Sequence, residues 1–235
     1  MLQHVWERAS QTRYLTDLVI ATDDDRIRRA AEGFGAKVIL TRDDHASGTD
    51  RVAEAASAST ATIIVNIQGD EPMIDPFAID AAILGMLHDE NVPMGTLKKR
   101  IERAHEITDP GVVKVVTDHQ GNALYFSRAP IPHHRDNASN SGDDAGGGDQ
   151  RDPVYFKHIG LYVYRRDFLL AYPDLPVGPL EQAERLEQLR ALENGFRIRV
   201  VETEYESLGV DTPADWRIVS ALYEKSFLNK NMVSK

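Results

Sequence analysis

The sequence has no cysteine, no long apolar run and no excess of basic residues. Without cysteine there is no disulfide and no thiolate nucleophile, so we expect a cytosolic protein. The longest apolar runs, such as residues 62–65, are far shorter than the roughly 20 residues that cross a bilayer. The 37 acidic residues outnumber the 27 basic ones, giving a net charge of -10 at pH 7, which argues against a general nucleic-acid binder.

What the sequence does have is the composition of a globular protein and enough length for a substantial core. Its 235 residues are 42% hydrophobic and 27% charged. These values exclude a disordered chain, and we expect a single domain over residues 1–235. Residues 136–152 are mostly Asp, Asn, Ser and Gly. Because they cannot bury apolar surface, they predict a mobile insertion within that domain.

Short β-branched runs alternate with amphipathic helices in the first half of the chain. Strands are predicted at residues 18–21, 37–40 and 62–67. Helices are predicted at residues 1–10, 22–34, 49–59 and 75–88. This alternation is typical of an α/β fold with a mostly parallel sheet flanked by helices on both faces. Ligands of such sheets bind beyond the carboxyl ends of the strands.

The second half of the chain is less regular. A turn at Gly121 separates two strands that predict a hairpin, at residues 112–116 and 123–126. Two further strands are predicted at residues 155–164 and 196–203. Two further helices are predicted at residues 180–194 and 213–227.

Two acidic residues follow the strand predicted at residues 62–67. Gly69 permits a close backbone approach, and Pro72 prevents the sheet ladder from continuing. Asp70 therefore lies at the carboxyl end of a strand, where it could bind a hard cation. The alternative is an ordinary turn in which Asp70 and Glu71 are both solvated. The position after the most apolar strand favours a functional site.

Asp211 immediately precedes the last long helix. Thr212 is a typical N-cap, Pro213 suits the first helical position, and Asp215 is an acid in the first turn. Capping explains these three residues but does not explain Asp211. The residues alone leave a functional and a purely local role for Asp211 equally open.

Residues 45–51 form a turn of small residues that leads into a helix. Unpaired backbone amides at a helix N-terminus suit anions, and Ser47 and Thr49 add hydroxyl donors. The alternative is that these small polar residues only cap the helix. Arg51 opposes the helix dipole, which favours a partner outside its own helix.

A group of basic and aromatic residues stands out in this acidic chain. Its members are Lys114, Arg128, Arg135, Lys157, His158 and Tyr162. If they cluster at one cleft, they would suit a carboxylate or phosphate ligand. The alternative is that the basic residues are solvated and that His158 is a half-buried structural histidine.

Eight segments, taken in order, resemble the 3-deoxy-manno-octulosonate cytidylyltransferase family, the CMP-Kdo synthetases of lipopolysaccharide biosynthesis. The segments are residues 19–23, 45–51, 65–72, 113–116, 123–132, 158–164, 186–190 and 209–213. The resemblance implies a Rossmann-like α/β fold of the nucleotide-diphospho-sugar transferase type, with a smaller element that forms a homodimer. It also implies transfer of CMP from CTP to 3-deoxy-manno-octulosonate (Kdo), giving CMP-Kdo and pyrophosphate, with Mg²⁺ as cofactor.

The resemblance also implies roles for individual residues. The catalytic, metal-binding aspartates correspond to Asp70 and Asp211. The nucleotide-binding residues correspond to Ser47, Gly48, Thr49, Arg51 and Gln68. The sugar-acid pocket corresponds to Arg128, Arg135, His158, Tyr162, Glu187 and Gln188.

One departure from the family lies at the N-terminus. The family begins with a central strand and a phosphate-binding loop containing arginine, serine and lysine, and residues 1–8 align with the helix after that loop. We therefore expect a misassigned start or a truncated product, and an exposed sheet edge. Two alternative functions stay open: a cytidylyltransferase for a related sugar acid, such as amino-Kdo or sialic acid, or a non-catalytic remnant that only dimerises.

Overall fold

The computed structural model describes residues 1–135 and 154–233, with side chains through residue 224. The predicted mobile insertion at residues 136–152 lies outside the described residues. The helices are α1 (Leu2–Ala9), α2 (Asp25–Gly33), α3 (Gly48–Ser57), α4 (Pro76–Leu87), α5 (His105–Thr108), α6 (Arg166–Ala171), α7 (Pro179–Glu184), α8 (Gln188–Glu193) and α9 (Pro213–Val233). The strands are β1 (Val19–Thr22), β2 (Lys37–Leu40), β3 (Ile63–Asn66), β4 (Met94–Arg100), β5 (Lys114–Thr117), β6 (Ala123–Ser127), β7 (Phe156–Arg165) and β8 (Ile198–Glu202).

Strand β7 is at the centre of a six-stranded sheet. The strand order is β6-β5-β7-β4-β8, and β3 also pairs with β7. The predicted α/β fold, a central sheet flanked by helices, is confirmed. The sheet is mixed rather than mostly parallel, because β7 runs antiparallel to β3, β4 and β5 while β4 and β8 are parallel. The predicted hairpin is also present, as the antiparallel pair of β5 and β6.

Strands β1 and β2 form a separate parallel sheet of two strands. Among the described strands, β1 pairs only with β2, and β3 pairs only with β7. Each of these strands therefore leaves one edge without a strand neighbour in the described part of the chain. This arrangement agrees with the exposed sheet edge that we expect from the sequence.

Alternate residues of β7 reach two different hydrophobic clusters. Ile159, Leu161 and Val163 are buried in the cluster that includes α1 and α4. Tyr162 and Tyr164 belong to the cluster that includes residues of α3, α6 and α8. Because successive side chains of a strand point to opposite faces, helices cover the central sheet on both sides.

Local sequence signals explain the starts of the helices near the sheet edge. The Ser47 side chain caps α3 by accepting a hydrogen bond from the backbone of Asp50 at 3.2 Å. The Asp75 side chain caps α4, and Pro76 occupies the first turn. Side-chain acceptors at these positions satisfy amides that have no partner inside the helix.

The single helix predicted at residues 180–194 is wrong, because the structure has two short helices there. The chain turns between α7 and α8 at Arg185, which has a left-handed backbone with φ 52°. Glu181 and Arg190 hold the two helices together with hydrogen bonds of 2.7 and 2.8 Å. The apolar residues of the segment have helical periodicity throughout. The helix is nevertheless interrupted, and the contact between Glu181 and Arg190 stabilises the break.

Strand β4 was not predicted. It begins with Met94 and Gly95, which are not strong strand formers. Its first four residues are nevertheless buried, because β4 lies between β7 and β8. No helix in the described residues is long and apolar enough to span a bilayer.

Candidate active site

The acidic turn after β3 is joined to the segment before α9. The backbone nitrogen of Val210 donates to the carbonyl oxygen of Asp70 at 3.0 Å. The Glu71 carboxylate accepts from Tyr205 Oη at 2.8 Å and from Ser207 Oγ at 2.7 Å. Glu71 is buried, and desolvation raises its pKa, so a fully solvated turn is wrong for this residue. These contacts form a latch between the two segments.

The latch places Asp70 beside the segment that leads to Asp211. Thr212 and Asp215 cap α9 reciprocally: the Thr212 nitrogen donates to Asp215 Oδ2 at 2.9 Å, and the Asp215 nitrogen donates to Thr212 Oγ1 at 3.3 Å. Capping therefore does not use the carboxylate of Asp211. Within the described residues, no lysine or arginine forms an ion pair with Asp70 or Asp211.

These two aspartates suit a cation that takes only part of its ligand set from the protein. The described residues contain no group of three or more His, Asp or Glu side chains that could hold a metal. Mg²⁺ is commonly held by one or two carboxylates together with water and substrate phosphates. Two carboxylates on joined segments fit that pattern.

The predicted nucleotide loop lies at the ends of β1 and β2. Ser47 caps α3, and Gly48 is exposed at its first turn. Arg51 Nη2 donates to Asp23, after β1, at 2.9 Å, and Arg51 Nη1 donates to Thr41, after β2, at 2.6 Å. Arg51 thus has the partners that we expect outside its own helix, and they belong to the protein itself. These hydrogen bonds hold α3 against the carboxyl ends of β1 and β2.

The nucleotide loop also touches the predicted sugar-acid pocket. Thr49 is buried, and its Oγ1 donates to Glu187 Oε2 at 2.9 Å. Tyr172 Oη donates to the backbone oxygen of Glu187. Gln68 follows β3 and is half-buried. The structure thus brings Thr49 and Glu187 together from segments far apart in the sequence.

Three residues of the predicted pocket form a compact group. The rings of His158 and Tyr162 have centroids 5.5 Å apart, and Tyr162 Oη donates to Gln188 Oε1 at 3.1 Å. The Gln188 Nε2 is buried and has no partner among the described residues. Burial lowers the pKa of His158 to about 3 and raises the pKa of Tyr162. The group is therefore neutral and offers an unused amide donor to a ligand.

The two arginines of the predicted pocket are not joined to this group. Arg128 Nε donates to the backbone oxygen of Glu184 at 2.8 Å, and Arg128 Nη1 donates to that of Pro110 at 2.9 Å. Arg128 thereby stabilises the end of α7. Arg135 is exposed.

Lys114 and Lys157 are neither solvated nor free to bind a ligand, so neither interpretation that the sequence left open holds for them. Lys157 forms a 3.0 Å ion pair with the buried Glu106. The Nζ atom of Lys114 is used by three backbone oxygens, those of Asp109, Val112 and Arg128, at 2.9, 2.6 and 2.6 Å. Both lysines are buried, and a buried charge requires such partners.

Sequence reasoning also missed several residues that support the site. Thr96 lies on the unpredicted strand β4, and its Oγ1 is 2.9 Å from His158 Nε2. Tyr205 and Ser207 lie in an irregular segment, where periodicity gives no signal. The residues around Thr96 are weak strand formers, so the sequence indicates neither the strand nor the contact with His158.

Comparison with known proteins identifies the class of protein. Residues 1–200 match the model of a family described as Cytidylyltransferase. Asp70 follows β3, and the start of α3 is held against the ends of β1 and β2. Together with the family match, this arrangement defines a nucleotidyltransferase.

Two curated relatives and one solved structure are closely similar. A 3-deoxy-manno-octulosonate cytidylyltransferase of Solibacter usitatus is 66% identical over 97% of this chain and 86% of its own length. The protein of the same name from Geobacter sulfurreducens is 55% identical over 92% of this chain and 85% of its own length. A solved CMP:2-keto-3-deoxy-manno-octonic acid synthetase complexed with CTP has a TM-score of 0.86 and 43% identity, over 96% of this chain and 88% of that one. The chain belongs to the 3-deoxy-manno-octulosonate cytidylyltransferase family.

Proposed function

We propose that this protein transfers CMP from CTP to Kdo, giving CMP-Kdo and pyrophosphate. The observation that carries the proposal is the 66% identity, over 97% of the chain, to a relative named for this reaction. The similar structure complexed with CTP supports CTP as the nucleotide substrate.

In the proposed reaction the anomeric hydroxyl of Kdo attacks the α-phosphorus of CTP. A new bond joins the sugar oxygen to that phosphorus, the bond to the bridging oxygen breaks, and pyrophosphate leaves. The hydroxyl proton is lost to solvent. Because both reactants are anions, the protein must offset their repulsion and orient the attacking hydroxyl.

Asp70 and Asp211 would hold Mg²⁺ in this proposal. When bound, Mg²⁺ neutralises charge on phosphate oxygens. The latch through Glu71 keeps the two aspartate-bearing segments together. The aspartates themselves have no competing cation among the described residues, which leaves their oxygens available.

The nucleotide would bind at the start of α3 and the end of β3, against the residues that the resemblance assigns: Ser47, Gly48, Thr49, Arg51 and Gln68. Unpaired amides at the start of α3 are suitable donors to phosphate oxygens. The contact between Thr49 and Glu187 supports a sugar-acid site next to this nucleotide site.

The sugar acid would bind at the group formed by His158, Tyr162 and Gln188, beside Glu187. The unused amide of Gln188 is a donor for one of its oxygens. Arg135 has no partner among the described residues and is the candidate for the sugar carboxylate. Arg128, in contrast, would act by positioning the turn between α7 and α8.

A pyrophosphate-release assay with CTP and Mg²⁺ tests the proposal. We expect release with Kdo and none without a sugar acid, on this chain or on one extended at its N-terminus by the corresponding residues of the Solibacter usitatus protein. A preference for amino-Kdo or sialic acid would instead support the related-substrate alternative. No release by either version with any sugar acid would support a non-catalytic remnant.

Replacement of the aspartates tests the metal assignment. Asp70→Asn and Asp211→Asn should each reduce kcat/KM by at least about 100-fold, because each loses a charged oxygen ligand. Both variants should also bind Mn²⁺ more weakly by calorimetry, with the far-UV circular dichroism unchanged. Asp167→Asn, whose side chain is 98% exposed, is the matched control. Unchanged Mn²⁺ affinity in both site variants would contradict the assignment.

We also propose a homodimer in the cytoplasm that serves lipopolysaccharide biosynthesis. These statements rest on family membership and on the absence of cysteine from the sequence. Light scattering after gel filtration should give the mass of two chains. Cell fractionation should recover the protein with cytoplasmic enzymes.

A further inference from the structure

An irregularity in the pairing of β4 and β7 lies next to His158. Thr96 and Leu97 are adjacent on β4, but they pair with Tyr162 and Ile159 on β7. Strand β7 therefore carries two extra residues at this point, which makes a β-bulge. The bulge shortens the distance along β7 between residues 158 and 162. Two side chains four residues apart thus become neighbours, with ring centroids at 5.5 Å.

The hydroxyl of Thr96 lies at the centre of this bulge. Thr96 is fully buried, and its Oγ1 is 3.0 Å from the carbonyl oxygen of Ile159 and 2.8 Å from that of Leu161. The same oxygen is 2.9 Å from His158 Nε2. A hydroxyl has one proton, and because carbonyl oxygens only accept, that proton points toward these two oxygens. The Thr96 oxygen therefore accepts a hydrogen bond from His158 Nε2, so that nitrogen carries a hydrogen.

Among the described residues, the two rings that contact His158 are uncharged. The edge of the ring contacts Phe126 at a centroid distance of 5.0 Å, and its other aromatic neighbour is Tyr162. No described residue donates a hydrogen bond to His158 Nδ1. Burial holds the pKa of the ring at about 3, which agrees with a neutral imidazole whose Nδ1 lone pair is unused.

We propose that Thr96 is a positioning residue that fixes His158 as the neutral Nε2–H tautomer, so that Nδ1 accepts a hydrogen bond from a hydroxyl group of the sugar acid. His158 then selects for a hydroxyl donor, while the amide of Gln188 donates to an oxygen of the same ligand. The identity of that ligand rests on the proposed function. The tautomer does not, because it follows from Thr96 alone.

The tautomer is measured directly by long-range ¹H–¹⁵N correlation NMR on the full chain with ¹⁵N-labelled histidine at pH 7.5. The His158 signals are assigned by their loss in His158→Gln. We expect the shift pattern of an Nε2–H imidazole in the free protein. An Nδ1–H pattern, an averaged mixture or an imidazolium would overturn the proposal. This readout needs no substrate, so it holds even if the assay with Kdo fails.

Two Thr96 variants then test the positioning role. Thr96→Ser keeps the hydroxyl and should keep the Nε2–H pattern, whereas Thr96→Val removes the acceptor and should give an averaged mixture. In the assay, Thr96→Val should raise KM for Kdo about tenfold while KM for CTP changes by less than about twofold. A wild-type NMR pattern in Thr96→Val, or equal changes in both KM values, would contradict the role. If Thr96→Val does not fold, the spectra of the wild type and Thr96→Ser still decide the tautomer.

Discussion

At the scale of single residues, Glu71 couples the segments that carry Asp70 and Asp211. Its carboxylate is the acceptor for two hydroxyl donors, Tyr205 and Ser207. A buried acceptor that serves two donors is difficult to replace, because its loss leaves both donors unpaired. The latch therefore holds together the two segments that carry the candidate metal ligands.

Glu71→Ala should lower the free energy of unfolding by about 2 kcal/mol, because two donors lose their acceptor. Glu71→Gln should lower it less, since one acceptor oxygen remains. Urea denaturation measures both variants, with the exposed Glu90→Ala as control. A loss in Glu71→Ala no greater than in Glu90→Ala would mean that the latch contributes nothing to stability.

Protonation of His158 makes the free energy of unfolding depend on pH. Its folded pKa of about 3 is below the ordinary value of 6.5, so the unfolded chain binds a proton more readily. The stability from the neutral ring is fully present above about pH 6.5 and is lost as pH falls toward 3. Within this window the loss approaches about 1.4 kcal/mol per pH unit.

Urea denaturation at pH 7 and pH 5 should therefore show a larger loss of stability in the wild type than in His158→Gln. His88→Gln, at an exposed position, should behave like the wild type. Equal losses in the wild type and His158→Gln would show that His158 does not resist protonation in the folded state.

At the scale of secondary-structure elements, the break between α7 and α8 shapes the pocket. It places Glu187 and Gln188 at the start of α8, where they reach Thr49 and Tyr162. The Glu181–Arg190 pair fixes the break, and both side chains are largely buried, at 9% and 11% exposure. Removing one partner of a buried pair leaves an uncompensated charge.

Glu181→Ala should lower the free energy of unfolding by about 3 kcal/mol, and the double variant Glu181→Leu/Arg190→Met should recover much of that loss. The pair of Arg28 and Glu32 in α2, with side chains 29% and 50% exposed, is the control, and Glu32→Ala should cost less than about 1 kcal/mol. Thermal denaturation of the four proteins makes the comparison. Similar losses in Glu181→Ala and Glu32→Ala would contradict a structural role for the buried pair.

In the molecule as a whole, the two sheets differ in how many of their residues are buried in the hydrophobic clusters. Neither hydrophobic cluster includes a residue of β1 or β2. Only one residue of these two strands, Thr22, is buried. Strands β4 and β7, in contrast, contribute to both clusters. Local opening is easiest where few apolar contacts are buried.

Hydrogen exchange should therefore be faster in peptides covering β1 and β2 than in peptides covering β4 and β7. Exchange measured by mass spectrometry on the full chain tests this. The opening free energy of the two-stranded sheet should be below that of global unfolding. Equal protection of both sheets would show that the described protein unfolds as one unit.

The net charge of -10 is also a property of the whole molecule. Both proposed substrates are anions, so the overall field does not attract them. We therefore expect the attraction to be local, through the start of α3, the proposed Mg²⁺ and Arg135, which has no partner among the described residues.

Most of the helices and strands, and the family, can be predicted from the amino-acid sequence. The alternation of β-branched runs and amphipathic helices predicts the α/β fold, and side-chain caps such as Ser47 and Thr212 mark helix starts to within one residue. These features depend on neighbouring residues, so the local sequence contains them. The family resemblance rests on the order of motifs along the chain, which is also visible without coordinates.

The direction of β7, the break at Arg185 and the partners of buried polar groups depend on tertiary contacts. Lys157 and Arg128 are bound by oxygens of distant segments, at Glu106 and Glu184, and Lys114 is bound by three backbone oxygens. The bulge beside Thr96 and the latch at Glu71 likewise join residues that are 62 and 134 positions apart. Such contacts arise from packing between strands and loops, and no local periodicity encodes them.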